Sequence, residues 1–270
     1  MGRAMDAMRM RSLAVTLLAV AGVAGTGAAQ AAGQCSGRSG PTAGALLELY
    51  TSEGCSSCPP ADHWFGELAA RSDPATLPML AFHVDYWDQL GWKDAFSQHA
   101  FTRRQYARVH AAGSSTVYTP QLMASTHASL RWNAPGQVAQ VLAGQRTEAS
   151  RYQLALQVTP VDGGWRVALG ASPSAAAVPG TPMAYLALAQ DGLWSQVARG
   201  ENAGARLAHA RVVRGLWGPW PIATGGLKRD LLVHPPRSAR AGSYQLVAFV
   251  QDPANGRTWQ ALGLPLASCR

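Results

Sequence analysis

The chain is almost without lysine: Lys93 and Lys228 are its only two, and charged residues of every kind make up just 14% of 270. The formal charge of +8 therefore rests on arginine. The arginines are scattered, with no block of five or six, so a solvated basic surface and no nucleic-acid partner are expected, with attraction to anionic surfaces as the minor alternative. Long apolar runs are missing after the first 25 residues, which leaves no membrane span in the mature chain. A second Cys-x-x-Cys and a His-x-x-x-His are both absent, so four zinc ligands cannot be assembled from motifs. The lack of a Met-rich or His-rich tract counts against copper carriage. No metal and no cofactor is expected.

What is present begins with a leader. Arg3, Arg9 and Arg11 form a positive start, Ser12 to Gly25 is apolar but short, and Ala29-Gln30-Ala31 gives a small-x-small cleavage site. Residues 1–31 therefore read as a secretory signal peptide, which implies a periplasmic or secreted protein. Gln34 stands before Cys35 where lipid attachment wants a small residue.

All four cysteines, Cys35, Cys55, Cys58 and Cys269, lie beyond the leader, in a compartment where disulfides persist. Four cysteines allow three pairings. The spacing of Cys55 and Cys58 suits a redox pair, which leaves a structural bridge between Cys35 and Cys269 near the two mature ends. Two free terminal thiols stay open as the alternative.

Residues 32–44, rich in Gly, Ser, Pro and Ala, read as a flexible segment. Strands are expected near 45–50 and 79–84, then an extended stretch at 118–124 and a strand at 126–132. Helices are expected from Ser57 to Ser72, from about Lys93 to Ala112, and from Pro135 to Gln145. The resulting order β-α-β-α-β-β-α, with Cys-Ser-Ser-Cys at the first β-to-α junction, resembles a thioredoxin-like domain over 45–148. Beyond about residue 150 the period changes to two: Tyr152, Leu154, Leu156 and Val158 alternate with polar or small residues, and Asp162-Gly163-Gly164 signals a hairpin. Residues 149–270 are therefore expected to form a separate, small antiparallel β-sandwich-like domain.

A Cys-x-x-Cys at a helix N-terminus has a mechanism, because the helix dipole and free amides stabilise a thiolate. Cys55 is expected to be the exposed attacking sulfur and Cys58 the resolving one. Thr119-Pro120 is expected to be cis beside the dithiol, with the Thr119 backbone meeting substrate. Glu48, on the entering strand, is the candidate base for Cys58, its pKa raised by burial; an exposed strand glutamate is the plain alternative. His83 and Asp85 end the next strand and read as an acid/base pair, with Tyr86 and Trp87 as a substrate platform. Aromatics that merely roof the core are the competing reading. His63 reads as a surface residue.

Three segments resemble a known family. They are Leu47 to Asp62 around the Cys-Ser-Ser-Cys, His83-Val84-Asp85-Tyr86-Trp87 with Leu90-Gly91-Trp92-Lys93-Asp94, and Val117-Tyr118-Thr119-Pro120-Gln121. Together with Gly200-Glu201-Asn202-Ala203-Gly204 and Val212-Val213-Arg214 they are similar to a secreted bacterial family catalogued as domain of unknown function 1223. The resemblance implies a thioredoxin-like fold with an appended β domain and no established substrate. Tyr50 and Glu53 stand where the family would have Phe and Gln, and Gln121 to Ser125 departs from its hairpin. The expected function is an exported thiol–disulfide oxidoreductase acting on protein or small thiols with an envelope redox partner. A non-catalytic envelope binding module with a structural disulfide, and a Cu(I)-handling protein using His83 or His63, are the alternatives.

Overall fold

The computed structural model describes Met1 and residues 33–174, 180–236 and 243–269; apart from Met1, the expected leader lies outside the described residues. In chain order the elements are β1 (Cys35–Arg38), β2 (Leu47–Thr51), α1 (Pro59–Arg71), β3 (Met79–His83), α2 (His99–Ala111), β4 (Gln121–Ala124), β5 (His127–Leu130) and α3 (Pro135–Thr147). Then come β6 (Tyr152–Val161), β7 (Gly164–Pro173), β8 (Met183–Gln190), β9 (Leu193–Gln196), β10 (Arg206–His209) and β11 (Val212–Pro221). The chain ends with β12 (Leu227–Val233), β13 (Tyr244–Gln251), β14 (Thr258–Pro265) and a single 3-10 turn, Leu266–Ser268.

The helices follow from local chemistry. α1 opens on Pro59-Pro60, whose fixed φ suits a first turn. Ala61, Phe65 and Ala69, four residues apart, form its buried stripe. Asp62 in its first turn and Arg71 in its last complement the helix dipole. α3 likewise starts at Pro135 and buries Val138 and Leu142.

The strands overturn the expected fold class. One mixed sheet of eight strands, in the order β14-β13-β8-β11-β3-β2-β4-β5, runs through both halves of the chain. The chain is therefore a β-rich fold built on this sheet, not an α/β thioredoxin-like domain followed by an independent sandwich. The join is β11 on β3, parallel at Val212 and Ala81. It is made by Arg211, in the left-handed region at φ 56. Asp191 holds the Arg211 amide and guanidinium at 2.8 and 3.0 Å, and the Arg211 carbonyl accepts the Ala81 amide at 2.8 Å. The strands expected to form a separate domain are divided: β8, β11, β13 and β14 enter the large sheet, and β6, β7 and β12 join β1 in a second sheet ordered β1-β6-β7-β12. The expected flexible segment is corrected too, since Cys35–Arg38 pairs antiparallel with Val158–Ala155. Ala32–Arg270 forms one compact unit across the expected boundary near residue 148.

Side-chain parity assigns the two faces of the large sheet. On β2, Leu47 and Leu49 pack with Phe65 of α1 and Val138 and Leu142 of α3. Tyr50 points the other way, onto Phe82 and, with it, Phe101 and Val109 of α2. The same division continues along β8: Leu186 and Leu188 meet the second sheet through Leu154, Leu156 and Val167, while Tyr185, Ala187 and Ala189 share the α2 face. Each fully buried side chain of this size contributes about 1.5–3 kcal/mol. Among the described residues no helix is long and apolar enough to cross a membrane.

Candidate functional site

The Cys55–Cys58 disulfide lies in the turn between β2 and α1, with Cys58 as the N-cap of the helix. Backbone bonds from Cys55 to Ser52 and from Cys58 to Cys55, both 3.2 Å, wind the loop tightly. Contrary to the expectation of an exposed attacking sulfur, both cysteines have 0% exposure; Ser56 and Ser57 are the exposed pair. The Ser57 hydroxyl lies 3.3 Å from Cys55 Sγ and donates to the Thr119 carbonyl at 3.4 Å.

The Thr119–Pro120 bond is cis, and the aromatic loop reaches it, with Trp87 Nε1 donating to Thr119 Oγ1 at 2.8 Å. Gly54 makes room, because a Cβ there would meet the Trp87 Cβ at 3.2 Å. Tyr86 packs near Trp87, ring centroids 6.5 Å apart, and burial pushes its hydroxyl up to about 12. Thr119, Pro120, Tyr86 and Trp87 thus stand around the dithiol loop, all half-buried.

Glu48 does not belong to this site. It shares the parity of Tyr50 and so faces α2, on the side of the sheet away from α1. Its carboxylate accepts from Arg104 Nε and Nη2 at 3.1 and 2.8 Å, from Tyr50 at 2.9 Å and from Gln251 at 3.1 Å. Burial alone would raise its pKa, but Arg104 and Arg108 hold it down at about 2, the opposite of a poised base. The carboxylate on the dithiol side is Asp62, one helical turn beyond Cys58, where side chains four apart share a face. Thr51, of opposite parity to Glu48, donates to Asp62 Oδ2 at 3.0 Å. Burial pushes Asp62 up to about 6, against the pull of His83 and His209. Asp62 also lines a cleft of about 540 Å³ between α1 and the β9–β10 hairpin.

A raised carboxylate has a definite sign. Its favourable protonated state holds the fold below its ordinary value of 3.8, and that contribution is lost as pH rises through about 6. Asp62→Asn is therefore expected to match wild type near pH 4 and to exceed it by about 1–3 kcal/mol near pH 8. Urea denaturation at both values checks this; a gap that does not widen with pH excludes Asp62 as a proton-bearing group.

His83 and Asp85 are not brought together as a pair. His83 is buried and its Nδ1 lies 2.6 Å from Asp94 Oδ2. Burial opposes the charged imidazole, yet Asp94 raises the His83 pKa overall. Asp85 instead accepts from Thr102 at 2.5 Å and lies 3.0 Å from His99. His63 is exposed, 3.4 Å from Glu67. Among the described residues no group of three or more His, Cys, Asp or Glu is arranged to hold a metal ion.

Several site residues were missed by sequence reasoning. Glu53 is buried directly before the dithiol loop; its carboxylate accepts from Trp92 at 2.7 Å and from Ser195, and lies 3.3 Å from His209 Nε2. Asp94 accepts the Glu53 amide at 2.9 Å, and the His83 and His209 rings meet at 5.2 Å. From the second half of the chain, Asn202 Nδ2 donates to the Glu53 and Cys55 carbonyls, both at 2.9 Å. Glu201 accepts the Ser56 amide at 3.0 Å, and hydrogen bonds from the Ser56 hydroxyl and amide hold its carboxyl below the usual range. The Gly200–Gly204 turn therefore clamps the dithiol loop.

Solved structures share the fold. An Agrobacterium tumefaciens protein from structural genomics is 20% identical with a TM-score of 0.57, the match covering 84% of this chain and 96% of that one. HBP35 of Porphyromonas gingivalis is 14% identical with a TM-score of 0.62, covering 85% of this chain and 77% of that one. No curated protein matches. The family model described as protein of unknown function DUF1223 matches residues 46–251, the span that contains the dithiol loop, the aromatic loop, Thr119-Pro120 and the Gly200–Gly204 clamp, and the chain belongs to that family.

Proposed function

We propose that this protein is an exported thiol–disulfide oxidoreductase of the cell envelope, working through Cys55 and Cys58 on protein or small-thiol substrates. The observation that carries the reading is the Cys55–Cys58 bond at the N-cap of α1, beside the Thr119-Pro120 backbone. In the reducing direction the Cys55 thiolate attacks one sulfur of a substrate disulfide. A mixed disulfide forms and the other substrate sulfur leaves as a thiolate. Cys58 then attacks Cys55 Sγ, the Cys55–Cys58 bond forms, and the second substrate sulfur leaves. Two electrons pass to substrate; the Cys58 proton leaves by way of Asp62 to one departing thiolate, and the other takes from solvent the proton that Cys55 lost on ionising. The oxidising direction is the reverse, and the relative stability of the two redox states sets which one runs.

Burial of both sulfurs adds a condition: the loop, held through its backbone by Glu201 and Asn202 and with the Ser57 hydroxyl beside Cys55 Sγ, loosens before substrate reaches Cys55. Asn202→Ala removes both bonds to the loop carbonyls, so alkylation of the reduced dithiol by a bulky maleimide is expected to speed up about tenfold. Equal rates in the variant and wild type would exclude the clamp as the gate.

The same burial favours a second reading, an envelope binding module in which this disulfide is structural. The reduction potential separates the two. The intact protein is equilibrated with glutathione, quenched in acid and alkylated, and the Cys55–Cys58 peptide is quantified by mass spectrometry. A value of about −120 to −270 mV, the range of known redox proteins, is expected. A value below about −300 mV makes the bond structural and overturns the proposal.

A further inference from the structure

On the sheet face opposite α1, a second cleft of about 340 Å³ opens between α2 and the strands β8, β11 and β13. We infer that this cleft is a binding site for a small organic carboxylate with an apolar body. The inference does not depend on the role of the dithiol.

The charge balance is the first argument. Arg104 and Arg108 are both buried here, with side-chain exposures of 9% and 5%, and among the described residues Glu48 is their only carboxylate partner. Both Glu48 oxygens are fully used, one by Tyr50 and Arg104, the other by Gln251 and, at 3.4 Å, Arg108. Arg108 turns its two terminal nitrogens to the carbonyls of Gly256 and Ser125, at 2.5 and 2.6 Å. Arg103 adds a third guanidinium at the exposed rim. Two buried guanidiniums thus share one carboxylate, with the exposed Arg103 nearby, and a buried charge without a counter-charge is costly. An anion entering the cleft supplies what is missing.

The second argument is preorganisation. The Arg104 guanidinium sits 5.2–5.3 Å from the ring centroids of Phe82, Tyr185 and Phe249. Aromatic faces on several sides fix its position before a ligand arrives, so little side-chain entropy remains to be lost on binding. Phe101, Ala107, Leu216 and Pro219 give the wall an apolar side, with the amides of Gln98 and Gln251 beside the arginines. Its volume falls at the small end of ligand sites, about 300–1,000 Å³.

The lining also selects the class of anion. The buried Arg104–Glu48–Arg108 triad carries one net positive charge, which a monoanion neutralises. A phosphate dianion would have to shed a stronger hydration shell against Leu216 and Pro219. A carboxylate on an aromatic or aliphatic body places its charge on Arg104 and Arg103 and its carbon against the apolar wall.

The probe is benzoate, titrated into the intact protein and followed by amide chemical shifts, with benzyl alcohol as the neutral control. Saturable shifts are expected at Ala107, Leu216 and Gly256, with benzyl alcohol at least about tenfold weaker. Ala107 is exposed on α2 and lines the cleft, so Ala107→Trp plugs it from the rim and is expected to weaken benzoate at least about tenfold. Should that variant fail to fold, Arg103→Ala keeps the test open and is expected to weaken benzoate about threefold. Absence of saturation by about 20 mM benzoate overturns the inference. So does equal binding of benzyl alcohol, shifts confined to another surface, or affinity unchanged in whichever variant folds.

Discussion

Glu48→Gln is expected to destabilise the protein by about 3–5 kcal/mol at neutral pH, although it changes one oxygen to one nitrogen. The residue is 1% exposed and its carboxylate accepts from Arg104, Tyr50 and Gln251 while lying 3.4 Å from Arg108. An amide keeps the shape but removes the only negative charge of the cluster, and its NH2 group turns donors toward donors. Arg104 and Arg108 then remain buried with no counter-charge, and that, rather than the lost hydrogen bonds, dominates the cost. The pH dependence identifies the cause. Glu48 titrates at about 2 in the fold against an ordinary 4.5. A depressed carboxylate stabilises above its unfolded value and loses that contribution as pH falls through the folded one. The gap between wild type and Glu48→Gln should therefore be full above about pH 5 and close progressively toward pH 2. Urea denaturation across that range measures it; a gap below about 1 kcal/mol at neutral pH would falsify the uncompensated-charge account.

The same residue shows where sequence reading stops. The local elements were legible. Pro59-Pro60 with Ala61, Phe65 and Ala69 specifies α1, alternation specifies β6 and β7, and the Cys-Ser-Ser-Cys loop falls between β2 and α1. What alternation could not give was the face of Glu48, because every residue of β2 is buried and a strand covered on both sides carries no polar/apolar period. Counting parity from Leu47 and Leu49, once they are assigned to α1, sends Glu48 to α2 and Thr51 to α1. Asp62, one turn after Cys58, carried a readable signal of the same kind. The fold class was lost at long-range pairings, above all that of β11 with β3. The β3–β11 pairing joins residues 81 and 212 and hangs on Arg211, Asp191 and the Ala81 amide. No periodicity encodes such a contact. Glu53 and Asp94 lie in loops of the first half, Asn202 in a turn, and Ser195 and His209 on the paired strands β9 and β10, so their joint role is tertiary information.

Removing Cys35 and Cys269 together is expected to cost up to about 5 kcal/mol, while loss of the Cys55–Cys58 bond should cost no more than about 2. The difference is loop length. Cys35 and Cys269 are 234 residues apart and Cys55 and Cys58 only 3, so cross-linking them restricts the unfolded chain very differently. In the fold the long bridge ties β1, which pairs with β6 along the edge of the second sheet, to the turn that follows β14. Both of its cysteines are buried, at 8% and 4% exposure, so reductant reaches them only through local opening. Urea midpoints of Cys35→Ala/Cys269→Ala and of Cys55→Ser/Cys58→Ser, compared with wild type under oxidising conditions, provide the test. A cost for the first below about 1 kcal/mol, or equal costs for both, would overturn the assignment. The expected ordering has a consequence for the proposed chemistry. A dithiol that contributes little to folding can open and close in each turnover without loosening the chain, because the long bridge holds the ends throughout.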